Sequence, residues 1–132
     1  MKLFRIKLLK KTIFLGAIIM ALLVINKPVV FGNKIIASKI GIASYYSNNL
    51  HGRKTANGEI YNKNKFTAAH RKMKFGTKLI VTNLNNNKSV KVTINDRGPF
   101  VKKRIIDLSY AAAKKIGLIK KGIAKVRIDV IK

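Results

Sequence analysis

The sequence predicts a small, mainly β barrel, and three features of the 132-residue chain indicate this fold. Several short segments alternate between apolar and polar residues, as half-buried strands do. Segments rich in asparagine and glycine separate them and favour tight turns. One segment has the composition of a short helix. The chain has no cysteine, so we expect the roughly 100 residues of the barrel to be stabilised by packing alone.

The first 32 residues differ from the rest and are predicted to lie outside the barrel. Five lysine and arginine residues within residues 1–11 precede an apolar run over residues 13–25, and Gly32 is a small residue suited to cleavage. Because this run is shorter than the about 20 apolar residues of a membrane span, it favours a secretory signal peptide. An uncleaved anchor in the inner membrane is the alternative, since residues 29–31 extend the apolar run beyond Pro28.

Both interpretations place residues 33–132 outside the cytoplasm. We expect a protein of the periplasm or cell envelope, either free or tethered to the inner membrane through residues 1–32. A lipid anchor is not expected, because it needs a cysteine.

Two strands and a hairpin are predicted from alternation and turn chemistry. The strands are residues 39–46 and 123–131. In the second, one face carries Ala124, Val126, Ile128 and Val130, and the other carries Lys125, Arg127 and Asp129. A hairpin is predicted between residues 78–83 and 90–95, because the asparagines at 85–87 tolerate the positive φ of tight turns.

One short helix is predicted to begin after Ser109 and to end at Ile116. The serine hydroxyl suits a helix N-cap, three alanines favour the helix interior, and Gly117 suits its end. Asp107, just before this helix, is interpreted as a structural acid that favours the helix N-terminus.

The chain is strongly basic. The whole chain has a net charge of +25, and six of its lysine and arginine residues precede residue 33 together with no acid, which leaves +19. Such a charge attracts nucleic acid, anionic lipid or an anionic wall polymer. The same composition also follows from AT-rich coding, since lysine, asparagine and isoleucine are abundant together. We expect no nucleic acid partner, because the aromatic residues do not form a stacking series and because the protein is expected to be exported.

Three segments carry the candidate chemistry: residues 43–59, 67–70 and 95–100. Only four acidic residues and two histidines occur in the chain, and Glu59, His70 and Asp96 lie in these segments. Gly52 and Gly58 allow the first segment to turn closely around a ligand. Loops mounted on a rigid barrel are common places for function, so the sequence predicts a site here.

These segments resemble the rare lipoprotein A (RlpA) family, whose double-psi β-barrel domain is related to expansins. The resemblance covers nearly all of residues 40–131, in order and with close spacing. The matching residues are Ala43-Ser44, Tyr46, His51-Gly52-Arg53, Thr55-Ala56-Asn57-Gly58-Glu59, Thr67-Ala68-Ala69-His70, Gly76-Thr77, Val81-Thr82-Asn83-Leu84, Asn95-Asp96-Arg97-Gly98-Pro99-Phe100, Arg104-Ile105-Ile106-Asp107-Leu108-Ser109 and Ala111-Ala112. The resemblance implies a six-stranded double-psi β-barrel with one or two short helices over residues 33–132.

The resemblance also implies an endolytic peptidoglycan lytic transglycosylase that prefers peptide-free glycan strands. Such an enzyme cleaves the bond between MurNAc and GlcNAc and leaves 1,6-anhydroMurNAc ends. One carboxylic acid can protonate the glycosidic oxygen and then accept the proton of the C6 hydroxyl, so no water is consumed. The implied partner is the glycan strand, the protein is expected to be a monomer, and no cofactor is expected. A non-catalytic, expansin-like glycan-binding protein is the alternative.

The resemblance assigns catalysis to Asp96, Glu59 and His70. Asp96 is interpreted as the acid, Glu59 as the second carboxylate, and His70 as a hydrogen-bond partner of a carboxylate or the substrate. Six further residues are predicted to bind substrate: Tyr46, His51, Arg53, Thr55, Asn57 and Arg97.

Taken alone, each candidate residue also has a structural interpretation. Asp96 suits an Asx turn, Glu59 a solvated pair with lysine, and His70 a partly buried histidine. His51 suits either loop packing or the lining of a cleft. Two histidines are too few for a metal site without further ligands, so no metal is expected.

A general acid is hard to maintain in so basic a chain, because positive charge favours ionised carboxylates. Acid catalysis therefore predicts that Glu59 and Asp96 approach each other in an enclosed cleft. The alternative is a reaction that starts with Asp96 as the base for the C6 hydroxyl.

Overall fold

A computed structural model describes residues 32–132. The predicted signal peptide or anchor therefore lies outside the described residues, except for Gly32. The elements are β1 (Ile35–Tyr45), β2 (Thr67–Ala69), β3 (Lys78–Asn83), β4 (Ser89–Asp96), β5 (Arg104–Leu108), α1 (Tyr110–Lys115) and β6 (Ala124–Ile131). A single 3-10 turn covers Asn48–Leu50.

The six strands close into a barrel in the order β1-β5-β2-β4-β3-β6. Two neighbouring pairs are parallel, β1 with β5 and β2 with β4, and the other pairs are antiparallel. This arrangement confirms the predicted double-psi β-barrel. Within residues 32–132, no helix has the length and apolar character needed to cross a membrane.

The local sequence signals are confirmed. The β3–β4 hairpin turns through the asparagines, and Asn87 has a positive φ of 59°. The Ser109 hydroxyl accepts a hydrogen bond from the Ala112 N–H at the start of α1. Gly117 follows the helix with a φ of 69°, a conformation that favours glycine. Strand β1 begins before residue 39, because Ile35 already pairs with Ile131 of β6.

Asp129 lies on the same face of β6 as Lys125 and Arg127, as the alternation predicts, but it is not exposed as they are. Its side chain is buried, with 2% relative exposure. Ser38 Oγ donates to Asp129 Oδ1 over 2.6 Å, and Arg127 Nε lies 3.0 Å from Asp129 Oδ2. The carboxylate tolerates burial because these partners replace its hydration.

The register of three strand pairs places four residues side by side. Ser44 of β1 pairs with Asp107 of β5, Asp107 pairs with Ala69 of β2, and Ala69 pairs with Asp96 of β4. The Cα atoms of Asp107 and Asp96 are therefore two strand spacings apart, about 9.6 Å. The adjacent residues that fill the core are Ala43, Ala68 and Leu108. Since side chains alternate along a strand, the row lies on the outer face of the barrel.

Candidate active site

Asp96 occupies a β-bulge at the end of β4. Ala68 pairs with Ile94 and Ala69 with Asp96, so Asn95 is one extra residue in β4. A bulge re-aims the side chains beside it. Here it lets Asn95 and Asp96 both bind the turn at residues 55–59.

Three groups donate hydrogen bonds to the Asp96 carboxylate. The main-chain N–H groups of Ala56 and Arg97 lie 2.8 and 2.9 Å from Oδ1, and the Tyr46 hydroxyl lies 2.6 Å from Oδ2. An ionised carboxylate only accepts hydrogen bonds, which matches this set of donors. The carboxylate is thus fixed in place, and it remains accessible from the cleft because Asp96 is only partly buried.

Tyr46 is held as a permanent donor to Asp96. Burial raises the pKa of the Tyr46 phenol far above its ordinary value, and the hydrogen bond and charge of Asp96 raise it further. The Tyr46 ring packs edge-on against Tyr61, with 4.7 Å between ring centroids. The phenol therefore stays protonated and donates to Asp96 Oδ2.

A cleft of about 100 Å³ opens above Asp96, lined by Tyr46, Leu50, Arg53, Lys54, Thr55, Tyr61 and Asp96. It brings together four of the predicted site residues: Tyr46, Arg53, Thr55 and Asp96. Arg53 and Lys54 are exposed at its rim and supply positive charge.

Thr55, Asn57 and Glu59 build the turn that covers Asp96. The Thr55 hydroxyl lies 2.7 Å from Asn57 Oδ1, and the Thr55 N–H donates to the Glu59 carbonyl over 2.8 Å. Gly58 takes a φ of 89°, which closes the turn. The Asn57 N–H also donates to the Asn95 carbonyl over 3.2 Å. The turn is thereby attached to the end of β4.

Glu59 is exposed, and it is not among the residues that line the Asp96 cleft. Its carboxylate accepts hydrogen bonds from the side-chain amides of Asn95 and Asn57, at 3.2 and 2.9 Å. These bonds lower the pKa of Glu59 below its ordinary value, and nearby lysines lower it further. The expectation that Glu59 joins Asp96 in an enclosed cleft is not met, so Glu59 does not favour a protonated Asp96.

His70 lies at the end of β2 and faces a different cavity from Asp96. That cavity has a volume of about 150 Å³ and is lined by Lys39, His70, Arg71, Lys72 and Ile105. The N–H groups of Lys72 and Met73 both donate to His70 Nδ1 over 3.1 Å, so the neutral ring carries its proton on Nε2.

The environment of His70 favours its neutral form. Burial lowers the pKa of His70 below its ordinary value, and the charges of Lys39, Arg97 and Arg71 lower it further. The main-chain N–H of His70 donates to the Asp96 carbonyl over 3.1 Å. His70 thus contacts Asp96 through the backbone, while its ring orders the turn that follows β2.

Two further predicted residues mainly support the loops. The Arg97 guanidinium donates to the carbonyls of His70 and Met73 over 3.2 and 2.8 Å and stacks 4.0 Å above the Phe75 ring. His51 Nδ1 accepts a hydrogen bond from the Lys63 N–H over 3.1 Å. Both side chains are used within the protein rather than in the Asp96 cleft.

Asp107 is a carboxylate near Asp96 that the sequence interpretation assigned to the helix start. It lies on β5, accepts a hydrogen bond from Ser44 Oγ, and lies 3.5 Å from Arg104 Nε. Its charge also contributes to the raised pKa of Tyr46. The alternation of buried Ile106 and Leu108 with Asp107 was the available signal, because it indicates a strand rather than a helix start. Among the described residues, no three His, Asp or Glu side chains cluster as metal ligands.

Comparisons with known proteins agree with this architecture. The sequence model of the family described as lytic transglycolase matches residues 38–128. The endolytic peptidoglycan transglycosylase RlpA of Haemophilus influenzae is 57% identical over 93 residues, which are 70% of this chain and 32% of that protein. The protein of the same name from Campylobacter jejuni is 58% identical over 91 residues, 69% of this chain and 33% of that protein. The chain thus spans about a third of the length of these relatives.

Solved structures share the fold at low sequence identity. Streptomyces papain inhibitor has a TM-score of 0.61 at 20% identity and covers 74% of this chain and 97% of its own. The expansin of Clavibacter michiganensis has a TM-score of 0.60 at 20% identity, covering 73% of this chain and 51% of its own. A mutant of that expansin was solved in complex with cellohexaose.

Proposed function

The chain belongs to the lytic transglycolase family, and on that premise we propose that it is an endolytic peptidoglycan lytic transglycosylase. It cleaves the bond between MurNAc and GlcNAc and leaves 1,6-anhydroMurNAc ends. The observation that carries the proposal is the Asp96 carboxylate, which three donors fix at the base of a cleft on the outer face of the barrel. Relatives at 57 and 58% identity named as such transglycosylases support it.

Asp96 moves the proton in the proposed reaction. Because its donors match an ionised carboxylate, the base-first order is favoured over the acid-first order. Asp96 accepts the proton of the C6 hydroxyl as the C6 oxygen bonds to C1 of the same MurNAc. The C1–O4 bond breaks, and Asp96 returns that proton to the departing GlcNAc oxygen. One carboxylate therefore serves both steps, and no water is consumed.

Tyr46 and Asp107 support this carboxylate. Tyr46 positions Oδ2 through its 2.6 Å hydrogen bond. Asp107 adds a fixed negative charge to the same face, about two strand spacings away. In the proposed reaction the Asp107 carboxylate, which lies 3.5 Å from Arg104 Nε, offsets part of the positive charge that develops on the sugar ring as the glycosidic bond breaks.

Glu59 and His70 are proposed as positioning residues for Asp96. Glu59 binds Asn57 and Asn95 and so fixes the turn whose Ala56 N–H binds Asp96. His70 orders the turn after β2 and binds the Asp96 backbone.

Substrate contacts are proposed for the residues at the cleft. Tyr46, Arg53 and Thr55 line it, whereas His51, Asn57 and Arg97 contribute by fixing the surrounding loops. The glycan strand as partner implies a place in the periplasm or cell envelope, with residues 1–32 as signal peptide or tether. A monomer suffices, since a single barrel supplies every residue of the proposed site.

A glycan-binding protein without catalysis is the second candidate. It is favoured by the exposure of Glu59, which leaves the cleft without an enclosed carboxylate pair. The two functions differ in one product, the anhydro end.

Mass spectrometry of peptide-free glycan strands after incubation with the chain separates the two candidates. The proposed enzyme releases anhydro-ended fragments, and its Asp96→Asn variant binds the strands but releases no such fragments. Asparagine is the matched substitution, because its Oδ1 still accepts from the Ala56 and Arg97 N–H groups. Binding by the unsubstituted chain without fragments would move the non-catalytic candidate to first place.

A further inference from the structure

A second depression lies beside the Asp96 cleft, with a volume of about 470 Å³. Its lining comes from the end of the loop before β2 and from α1: Asn64, Phe66, Tyr110, Ala111, Lys114 and Lys115. The sequence interpretation and the proposed reaction give these residues no role. Their chemistry, however, is that of a binding surface.

The depression combines an exposed aromatic ring with two exposed ammonium groups. Phe66 is 42% exposed, and Lys115 Nζ lies 5.1 Å from the centroid of its ring. Lys114 is also exposed at the same surface. Aromatic faces suit the apolar C–H face of a sugar ring, and lysines suit an anion. No acid is among the residues that line the depression.

Tyr61 connects this depression to the Asp96 cleft. Its ring lines the cleft and packs 4.7 Å from the Tyr46 ring. Its hydroxyl accepts a hydrogen bond from the Tyr110 N–H over 3.1 Å, and Tyr110 lines the depression. The neighbouring Ala111 N–H donates to the Lys63 carbonyl over 2.9 Å, which fixes the helix to the loop. Tyr61 therefore links the two surfaces, because it lines the cleft and binds a residue that lines the depression.

We propose that this depression is a second saccharide subsite, which binds a sugar carrying a free carboxylate on the glycan strand that crosses Asp96. The inference rests on the proposed function and names a feature of its substrate. The MurNAc of peptidoglycan carries a lactyl carboxyl group, which is an anion where the stem peptide is absent and a neutral amide where the peptide is attached. Lys114 and Lys115 pair with the anion, and Phe66 lies beneath the ring.

Binding of the 132-residue chain to two matched glycans tests the subsite. The first is a fluorescently labelled peptide-free strand, and the second is the same strand with its carboxylates coupled to methylamine. The Asp96→Asn substitution is present throughout to prevent turnover. Two exposed ion pairs give a preference for the free strand of roughly tenfold.

Charge-matched double variants separate a site from general attraction. Lys114→Gln with Lys115→Gln is expected to abolish the preference between the two strands. Lys120→Gln with Lys121→Gln removes the same charge from a different surface, beside Asn85 and Gly117, and is expected to keep the preference. Phe66→Ala is expected to weaken the binding of both strands equally, because stacking on the ring does not depend on the carboxylate.

Two results would overturn the subsite: equal affinity for the two strands, or an equal loss of preference in both double variants. Cleavage is scored separately with the chain that retains Asp96. Anhydro ends without a preference for the free carboxylate would support the proposed function and contradict the subsite. A preference that depends on Lys114 and Lys115 but is accompanied by no anhydro ends would support the subsite and contradict the proposed function.

Discussion

Removing the Tyr46 hydroxyl is expected to slow the reaction without removing the cleft. Tyr46→Phe deletes one of three donors to Asp96, the O–H at 2.6 Å from Oδ2, and retains the ring that packs on Tyr61. The two N–H groups at 2.8 and 2.9 Å remain on Oδ1. The carboxylate is therefore still present, but one of its oxygens is free to rotate or to bind water.

The magnitude follows from the kind of hydrogen bond that is lost. Hydrogen bonds to charged groups contribute about 1.5–3 kcal/mol, and water from the half-open cleft replaces part of this. A remaining loss of about 1.4 kcal/mol corresponds to a tenfold lower turnover. We expect kcat to fall by roughly tenfold with KM little changed, because the lost bond positions the carboxylate rather than the sugar.

Tyr61→Phe is the matched control. The Tyr61 hydroxyl lies in the same aromatic pair but accepts from the Tyr110 N–H instead of donating to Asp96. Its removal is expected to lower the free energy of unfolding by about 1 kcal/mol and to leave kcat within a factor of two or so. The assay is the initial rate of anhydro-ended fragment release, with thermal unfolding measured in parallel. An unchanged rate in Tyr46→Phe, or equal losses in both variants, would refute the positioning role of Tyr46.

Three further predictions concern the stability of the barrel. Because the pKa of His70 is lowered in the folded barrel, the unfolded chain binds a proton at this residue before the folded barrel does. The stability of the barrel is therefore fully retained above about pH 6.5 and decreases as the pH falls towards the folded pKa. His70→Gln, measured by denaturant unfolding between pH 5 and 7, should flatten this dependence, and an unchanged slope would contradict it. Asp129→Ala removes the buried acceptor of the Ser38 hydroxyl and should lower the free energy of unfolding by about 2 kcal/mol, while fragment release stays unchanged. An unchanged free energy of unfolding would show that the buried carboxylate contributes no net stability. Gly41→Ala places a Cβ 2.6 Å from Ile105 Cγ2 and should lower the free energy of unfolding by about 1–3 kcal/mol through overpacking. A melting temperature equal to that of the unsubstituted chain would contradict this prediction.

The sequence predicted those parts of the fold that depend on neighbouring residues. The hairpin around Asn87 and the helix from Ser109 to Gly117 follow from turn and capping chemistry that spans a few positions. The family prediction is confirmed by the match over residues 38–128. These signals are local, or they survive as motifs of consecutive residues.

The parts that were missed depend on the closing of the barrel. Asp107 meets the site only because β5 pairs with both β1 and β2, a register that links residues 44, 69, 96 and 107. Asp129 is buried because a residue far away in sequence, Ser38, faces it. The separation of Glu59 from the Asp96 cleft results from the two asparagine amides that bind its carboxylate at the exposed turn. The alternation around Asp107 indicates a strand, but local periodicity does not identify the distant residues in these three sets of contacts.

The central claim is that Asp96 passes the proton of the substrate's own C6 hydroxyl to the leaving oxygen, with no water consumed. Cleavage of peptide-free strands in water enriched in oxygen-18 tests it most directly, with the products analysed by mass spectrometry. We predict new anhydro ends that contain no oxygen-18, formed by the unsubstituted chain and lost in Asp96→Asn. New ends that incorporate oxygen-18 would show hydrolysis, and fragments that persist in Asp96→Asn would show that another group moves the proton.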